Sequence, residues 1–181
     1  MLAAIGTIAR VAIGLMFVTA GVGKLRSRGE FVGVVANYRI LPDILVPMVA
    51  HSLPIVEIVV GVALIAGLAT AWAVGIAVAL LLGFAVAMAI NLARGRTAID
   101  CGCNLGGPAQ FLSYRLVVRN MSIAAIGLLA LMTHPDIAGS LLASCTGAGL
   151  LVFLLAQLFE KIRALSSQMR PTGRAAWTKI Q

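Results

Sequence analysis

The residues most suited to chemistry are Cys101-Gly102-Cys103, where one glycine separates two thiols. Two cysteines at this spacing can close a small, strained disulfide ring, and Gly102, which has no Cβ, tolerates the backbone torsions that the ring demands. Strained disulfides are more oxidising and more labile than structural ones, so the motif favours reversible thiol exchange. The alternatives are a soft-metal site, for which two ligands are too few without help from elsewhere, and incidental loop thiols. We expect no metal here.

Charged residues close to the motif would tune its reactivity. Arg94 and Arg96 would favour a thiolate, whereas Asp100 would oppose them. The third cysteine, Cys145, falls within the last apolar run and is interpreted as a small buried residue. A role for Cys145 as a resolving or relay thiol is the alternative.

Two charged residues interrupt apolar runs. Glu57 falls near the middle of the second run and Arg10 lies inside the first. Because a carboxylate is expensive within a bilayer, it should be paired or protonated there. The two residues reach similar depths when each is counted from its own end of the run, so we predict an intramembrane Arg10–Glu57 pair. We interpret this pair as a contact that holds two helices together. The alternative is that it forms part of a proton- or quinone-linked site.

Further polar residues lie at the ends of apolar runs. Asn91 ends the third run, and Arg119 and Asn120 follow about two turns into the fourth. We expect these three side chains to bond to one another or to cap the cysteine loop.

The elements that hold these residues must be membrane-spanning helices. Of 181 residues, 61% are apolar and 11% are charged, against about 45–50% and about 25% in soluble domains. A soluble globule could not bury this much apolar surface, which excludes soluble enzymes and nucleic-acid modules. A bilayer core needs about 20 apolar residues in a helix. Five runs qualify: 2–23, 44–68, 71–93, 112–132 and 137–159.

The predicted fold is therefore all-α, a polytopic transmembrane helical bundle of about five spans, with a four-helix core plus one. We place the bundle in residues 1–160 and a basic tail in residues 161–181. The segment 24–43 is too polar to span a bilayer, and its apolar and interfacial residues predict a short interfacial helix that ends at Leu41-Pro42.

Basic residues are distributed unevenly between the connections. The net charge is +8, and the connections after the first, third and fifth runs carry nearly all of the Lys and Arg. The positive-inside rule then places the N-terminus outside and the C-terminus in the cytoplasm of a multi-pass protein of the inner (plasma) membrane. The excess of basic residues is thus explained by the orientation of a protein in the lipid bilayer, so no nucleic-acid partner is expected. The same rule puts the 94–111 loop on the cytoplasmic side.

Taken together, several stretches resemble the MauE branch of the MauE/DoxX membrane proteins. The most specific is Asp-Cys-Gly-Cys following Arg-Gly-Arg, and the matching region covers about residues 10–130. After the second cysteine many relatives carry Phe-Gly, whereas this chain has Asn104-Leu105-Gly106. The matching stretches are Gly21-Val22-Gly23-Lys24-Leu25-Arg26, Asn37-Tyr38-Arg39-Ile40-Leu41-Pro42, Leu53-Pro54 with Glu57 and Gly61, Asn91-Leu92-Ala93-Arg94-Gly95-Arg96, Ile99-Asp100-Cys101-Gly102-Cys103 and Arg119-Asn120.

The resemblance implies a small helical membrane protein associated with disulfide handling and the maturation of exported enzymes. In methylamine utilisation the implied client is the disulfide-rich small subunit of methylamine dehydrogenase, and a thioredoxin-like protein is the implied companion. A membrane quinone is a candidate electron acceptor.

The sequence thus predicts a membrane thiol–disulfide oxidoreductase in which Cys101 and Cys103 form the working pair. Maturation of exported proteins is an extracytoplasmic task, so a cytoplasmic loop requires either an electron relay, through Cys145 for example, or the opposite topology. The alternatives are a transporter that uses Glu57 and Arg10, a non-catalytic scaffold for a thioredoxin-like partner, and a heavy-metal carrier.

Overall fold

The computed structural model describes residues 2–102, 111–131 and 139–168. Over these residues the chain forms six α-helices and one short 3₁₀ turn, Asp43–Leu45, as the all-α prediction requires. Five of the helical segments are long and apolar enough to cross a membrane, and they correspond to the five predicted runs. The helices are α1 (Leu2–Arg26), α2 (Arg28–Tyr38), α3 (Val46–Ala66), α4 (Thr70–Ala93), α5 (Tyr114–Leu131) and α6 (Gly139–Gln168).

Helices α1 and α3 pack antiparallel through glycines. A Cβ on Gly14 would lie 2.8 Å from the carbonyl oxygen of Gly61, and a Cβ on Gly61 would lie 2.7 Å from that of Gly14. Seven residues further along α1, a Cβ on Gly21 would lie 2.7 Å from the carbonyl oxygen of Pro54. Small residues allow this backbone approach, which membrane helices use because lipid supplies no hydrophobic force between them.

Helices α1, α3, α4 and α5 enclose the apolar core. Phe17, Leu64, Leu81 and Ala124, one from each helix, are all buried in a single cluster. Helix α6 packs on the outside of α1, where Gly149 approaches Val11. Most of its large apolar side chains are exposed, as expected for a helix that faces lipid. The predicted arrangement of a four-helix core plus one helix is confirmed.

The bundle has two chemically different ends. The loop end comprises the end of α1, helix α2, the start of α3 and the connection from α4 to α5, and it carries the cysteine motif. The far end carries the tight turn between α3 and α4, where Gly67 is left-handed with φ 72°. The short helix predicted within residues 24–43 is α2, which ends at Tyr38, before the predicted end at Leu41-Pro42. Its capping residue Arg39 is also left-handed, with φ 48°.

Candidate functional site

The connection from α4 to α5 returns on itself, and this return presents the cysteine motif. The amide of Leu112 donates to the carbonyl oxygen of Ile99 at 3.0 Å, next to an antiparallel bridge between Asp100 and Phe111. Within the turn the amide of Gly102 donates to Oδ1 of Asp100 at 2.9 Å, and Gly102 has φ 71°. Only glycine adopts this conformation at low cost. Cys103 lies outside the described residues.

The cysteine loop lies directly against α2. The Tyr38 hydroxyl donates to the carbonyl oxygen of Cys101 at 3.3 Å. A Cβ on Gly102 would lie 2.9 Å from Cγ1 of Val34 and 3.6 Å from Cε2 of Phe31. The absence of a side chain at Gly102 therefore lets the backbone of the motif touch α2.

The arginines before the motif hold the start of the loop. Nη1 of Arg96 donates to Oδ1 of Asn91 at 3.2 Å, and the Arg96 amide bonds to the Asn91 carbonyl. Nη1 of Arg94 donates to the carbonyl oxygen of Arg39 at 3.2 Å, which ties the loop to the end of α2. Asn91 thus caps the cysteine loop, one of the two predicted alternatives. Stabilisation of a thiolate by Arg94 and Arg96 stays a prediction.

Beneath α2 lies a buried ion pair that the sequence did not predict. Nζ of Lys24 pairs with Oε1 of Glu57, and the two side chains are 5% and 1% exposed. The predicted Arg10–Glu57 pair is therefore wrong, because Glu57 takes its charge partner from the loop end. A Cβ on Gly21 of α1 would lie 3.3 Å from the Cβ of Glu57, and Lys24 lies one turn further along the same helix face.

Two aromatic rings surround the ammonium group of Lys24. Nζ lies 5.3 Å from the ring centroid of Phe31 and 4.9 Å from that of Phe84, within the range of a cation–π interaction. Phe31 is the same ring that approaches Gly102. Phe84 packs on a buried apolar cluster against which Cys101 also packs. Both rings therefore connect the ion pair to the cysteine loop.

Arg10 belongs to the far end. Its Nη1 lies 3.4 Å from Oγ1 of Thr70, and a Cβ on Gly67 would lie 2.6 Å from the same Nη1. The guanidinium group thus packs against the turn between α3 and α4. Arg10 and Lys24 are separated by about 21 Å along α1, at 1.5 Å per residue. The prediction placed Arg10 and Glu57 at similar depths, whereas Arg10 lies at the level of the turn between α3 and α4.

The remaining predicted residues lie apart from the motif. Arg119 approaches Glu160 of α6 at 3.8 Å, and Nδ2 of the buried Asn120 has no hydrogen-bond partner among the described residues. Cys145 is buried in α6, one turn before Gly149, and so lies near the far end. That position is about 25 Å along the helix axis from the level of Lys24, so Cys145 lies well beyond disulfide reach of Cys101.

Sequence reasoning missed Lys24, Phe31 and Phe84. Lys24 was counted among the basic residues flanking the first run, but α1 continues to Arg26 and places it inside the helix. The spacing of Gly21 and Lys24 was the available signal, because residues three apart share a helix face. Phe31 and Phe84 carried no comparable signal.

Comparison with known proteins identifies the family of the chain. The sequence model of the family described as Methylamine utilisation protein MauE matches residues 2–133. The Methylamine utilization protein MauE of Paracoccus denitrificans is 42% identical over 161 residues, which cover 86% of this chain and 87% of that protein. The protein of the same name from Methylorubrum extorquens is 40% identical, covering 82% of each chain. No solved structure matches the chain. The chain belongs to the MauE family of methylamine utilisation proteins.

Proposed function

We propose that the chain is an integral membrane thiol–disulfide oxidoreductase whose working pair is Cys101 and Cys103. The observation that carries the proposal is the built geometry of the motif. Gly102 adopts the left-handed conformation, Asp100 accepts from its amide, and Tyr38 holds the carbonyl group of Cys101. A thiol held in a closed turn at one end of the bundle suits exchange with a partner better than bracing of the fold.

The exchange proceeds in two balanced steps. The thiolate of one cysteine attacks a disulfide of the partner, which forms a mixed disulfide and releases a partner thiolate. The second cysteine, deprotonated in turn, attacks the mixed disulfide, so that Cys101 and Cys103 become oxidised and the partner becomes a dithiol. Two electrons pass to the partner. A thioredoxin-like dithiol then reduces the Cys101–Cys103 disulfide by the same steps in reverse.

The process in which the chain acts is proposed to be methylamine utilisation, after which its relatives are named. The partners are a thioredoxin-like protein and an exported client with disulfides. A membrane quinone is an alternative acceptor: it would take two electrons and two protons from the reduced cysteine pair and leave as the quinol.

The location proposed is the inner (plasma) membrane, and the charge distribution favours a loop end in the cytoplasm. Direct exchange with an exported client needs the opposite orientation, because Cys145 lies too far from Cys101 to relay electrons. Lys and Arg concentrate at the loop end, as the positive-inside rule requires of a cytoplasmic face. Single cysteines introduced into a cysteine-free chain test this orientation. An impermeant maleimide should reach Ser27→Cys from the inside of inverted vesicles and Leu68→Cys from the outside of intact cells, and the reverse pattern would overturn the orientation.

Redox titration of the purified protein in lipid vesicles tests the thiol chemistry. In a Cys145→Ser background, equilibration with glutathione buffers should oxidise Cys101 and Cys103 together as one two-electron couple, read by alkylation and mass. Cys101→Ser and Cys103→Ser serve as controls that cannot close the ring. Independent alkylation of both thiols at every glutathione ratio would contradict the proposal.

The transporter alternative loses its main support. It needs Glu57 and Arg10 on one pathway, but they have different partners at different ends of the bundle. The cavity beside Arg10 has a volume of about 10 Å³, which is room for a single water molecule. A heavy-metal carrier would need a further thiol or His close to Cys101 and Cys103; among the described residues, which leave out Cys103, no three His, Cys, Asp or Glu side chains are grouped to hold an ion.

A further inference from the structure

The position of the ion pair between Lys24 and Glu57 requires an explanation beyond helix packing. Helices α1 and α3 already approach to backbone contact through Gly14, Gly61 and Gly21, without help from charges. An ion pair buried in a protein is often no more stabilising than apolar residues of the same volume. Charged groups retained inside a membrane are commonly functional.

The chain of contacts leads from this pair to the cysteine loop. Lys24 lies against the ring of Phe31, which is itself only 4% exposed. A Cβ on Gly102 would lie 3.6 Å from Cε2 of the same ring. One aromatic ring thus separates the buried ammonium group from the backbone next to Cys101.

A second path runs through α4. Lys24 lies closer still to Phe84, which packs on the cluster of Met88, Leu92, Leu112 and Leu116. Cys101 packs on that cluster from the loop side. The ammonium group therefore contacts two of the aromatic side chains that support the motif, Phe31 and Phe84.

We propose that Lys24 and Glu57 are positioning residues for thiol exchange, which fix the cysteine loop through Phe31 and Phe84. Glu57 holds the ammonium group at one site, and the two rings pack on that cation. The rings in turn fix the height and tilt of the Cys101–Gly102 backbone against α2. This inference rests on the thiol–disulfide function proposed above.

The decisive variant removes the charges without leaving one buried alone. Lys24→Met/Glu57→Leu replaces the pair by apolar side chains of similar volume, an exchange that buried ion pairs often tolerate. The purified Cys145→Ser protein in lipid vesicles is reduced and then mixed with oxidised glutathione, and closure of the Cys101–Cys103 disulfide is followed by alkylation and mass. We expect a melting temperature close to that of the parent and closure slowed about tenfold, because the cation–π contacts are lost.

A double-mutant cycle separates positioning from general loosening. Phe31→Leu removes the ring but keeps an apolar side chain, so it should slow closure by a similar factor. The variant that combines Phe31→Leu with Lys24→Met/Glu57→Leu should close its disulfide no more slowly than the slower of these two variants, because all three substitutions break one chain of contacts. Lys24→Arg, which keeps a cation over the rings, should restore more than half of the lost rate.

Arg10→Met is the matched control, since it neutralises the other buried cation of the same helix far from the loop. It should leave the closure rate within about twofold of the parent. A folded Lys24→Met/Glu57→Leu protein that closes its disulfide at the parental rate, or rate effects that multiply in the triple variant, would overturn the inference. If the parent forms no reversible disulfide, the proposed function itself fails, which is a separate outcome.

Discussion

Helix α1 carries two buried cations, and their surroundings differ at the two ends of the bundle. Lys24 at the loop end has a carboxylate partner and two aromatic rings. Arg10 at the far end has the hydroxyl of Thr70 at 3.4 Å, and its Nε has no hydrogen-bond partner among the described residues. The loop end is thus organised around a neutralised charge, whereas at the far end the cation packs against a turn. Burial of a charge alone did not distinguish these roles, but its neighbours did.

The largest difference between the ends should follow from breaking the ion pair. Glu57→Leu alone leaves the ammonium group of Lys24 buried without a counter-charge, and removal of one partner of a buried pair costs about 3–5 kcal/mol. We expect a large fall in the melting temperature of the protein in lipid vesicles. The further substitution Lys24→Met should recover most of it. A Glu57→Leu protein as stable as the parent would show that the charge of Lys24 reaches water.

The contact between α1 and α3, which lies between the two ends of the bundle, should be the next most sensitive. Gly14→Ala places a methyl group 2.8 Å from the carbonyl oxygen of Gly61, and backbone cannot move aside cheaply, so we expect a loss of about 1–3 kcal/mol. Gly75→Ala is the control, because no heavy atom lies within 4 Å of its Cβ position. The control should be neutral or slightly stabilising. Equal melting temperatures for the two variants would argue against the packing described for α1 and α3.

A smaller and more local effect is expected at the motif. Gly102→Ala must hold a left-handed conformation at a cost of about 1–2 kcal/mol, and its methyl group would also press on Val34. The melting temperature of the protein in lipid vesicles should fall accordingly. Adding Val34→Ala should relieve the contact but not the torsional cost. Full recovery in that double variant would mean that the conformation of Gly102 is unimportant.

The smallest effect is predicted at the far end. Arg10→Met loses one long hydrogen bond and removes a buried polar atom that lacks a partner, so its stability should change by no more than about 1 kcal/mol. Thermal unfolding in the same vesicles provides the measurement. A loss as large as that of Glu57→Leu would show that both buried cations are equally demanding, and the contrast between the ends would disappear.

The spans were predictable because a bilayer imposes a simple length and polarity rule. The run 71–93 became the helix Thr70–Ala93, and the polar segment 24–43 became α2 within its bounds. Helix register was harder to predict. The partner of Glu57 depended on α1 continuing to Arg26 and on which residues of α1 and α3 face one another, and hydropathy does not record either.

The candidate site was predictable only as a motif. The spacing of the cysteines and the use of glycine between them were visible locally, and Gly102 is left-handed, a conformation that glycine adopts readily. The support beneath the motif was not visible, because Phe31 and Gly102 are far apart in sequence and meet only through the packing of α2. Buried aromatic residues in an apolar sequence give no sign of which partner they contact.

The central claim is that Cys101 and Cys103 work as a reversible disulfide at the loop end, and labelling in the native membrane tests it most directly. Membranes from cells that express the Cys145→Ser protein are treated with a heavy maleimide before and after reduction. The account predicts that both thiols become labelled together and only after reduction, and that an added disulfide oxidant protects both again. Complete labelling of both thiols without reduction, with no protection by any oxidant, would contradict the account.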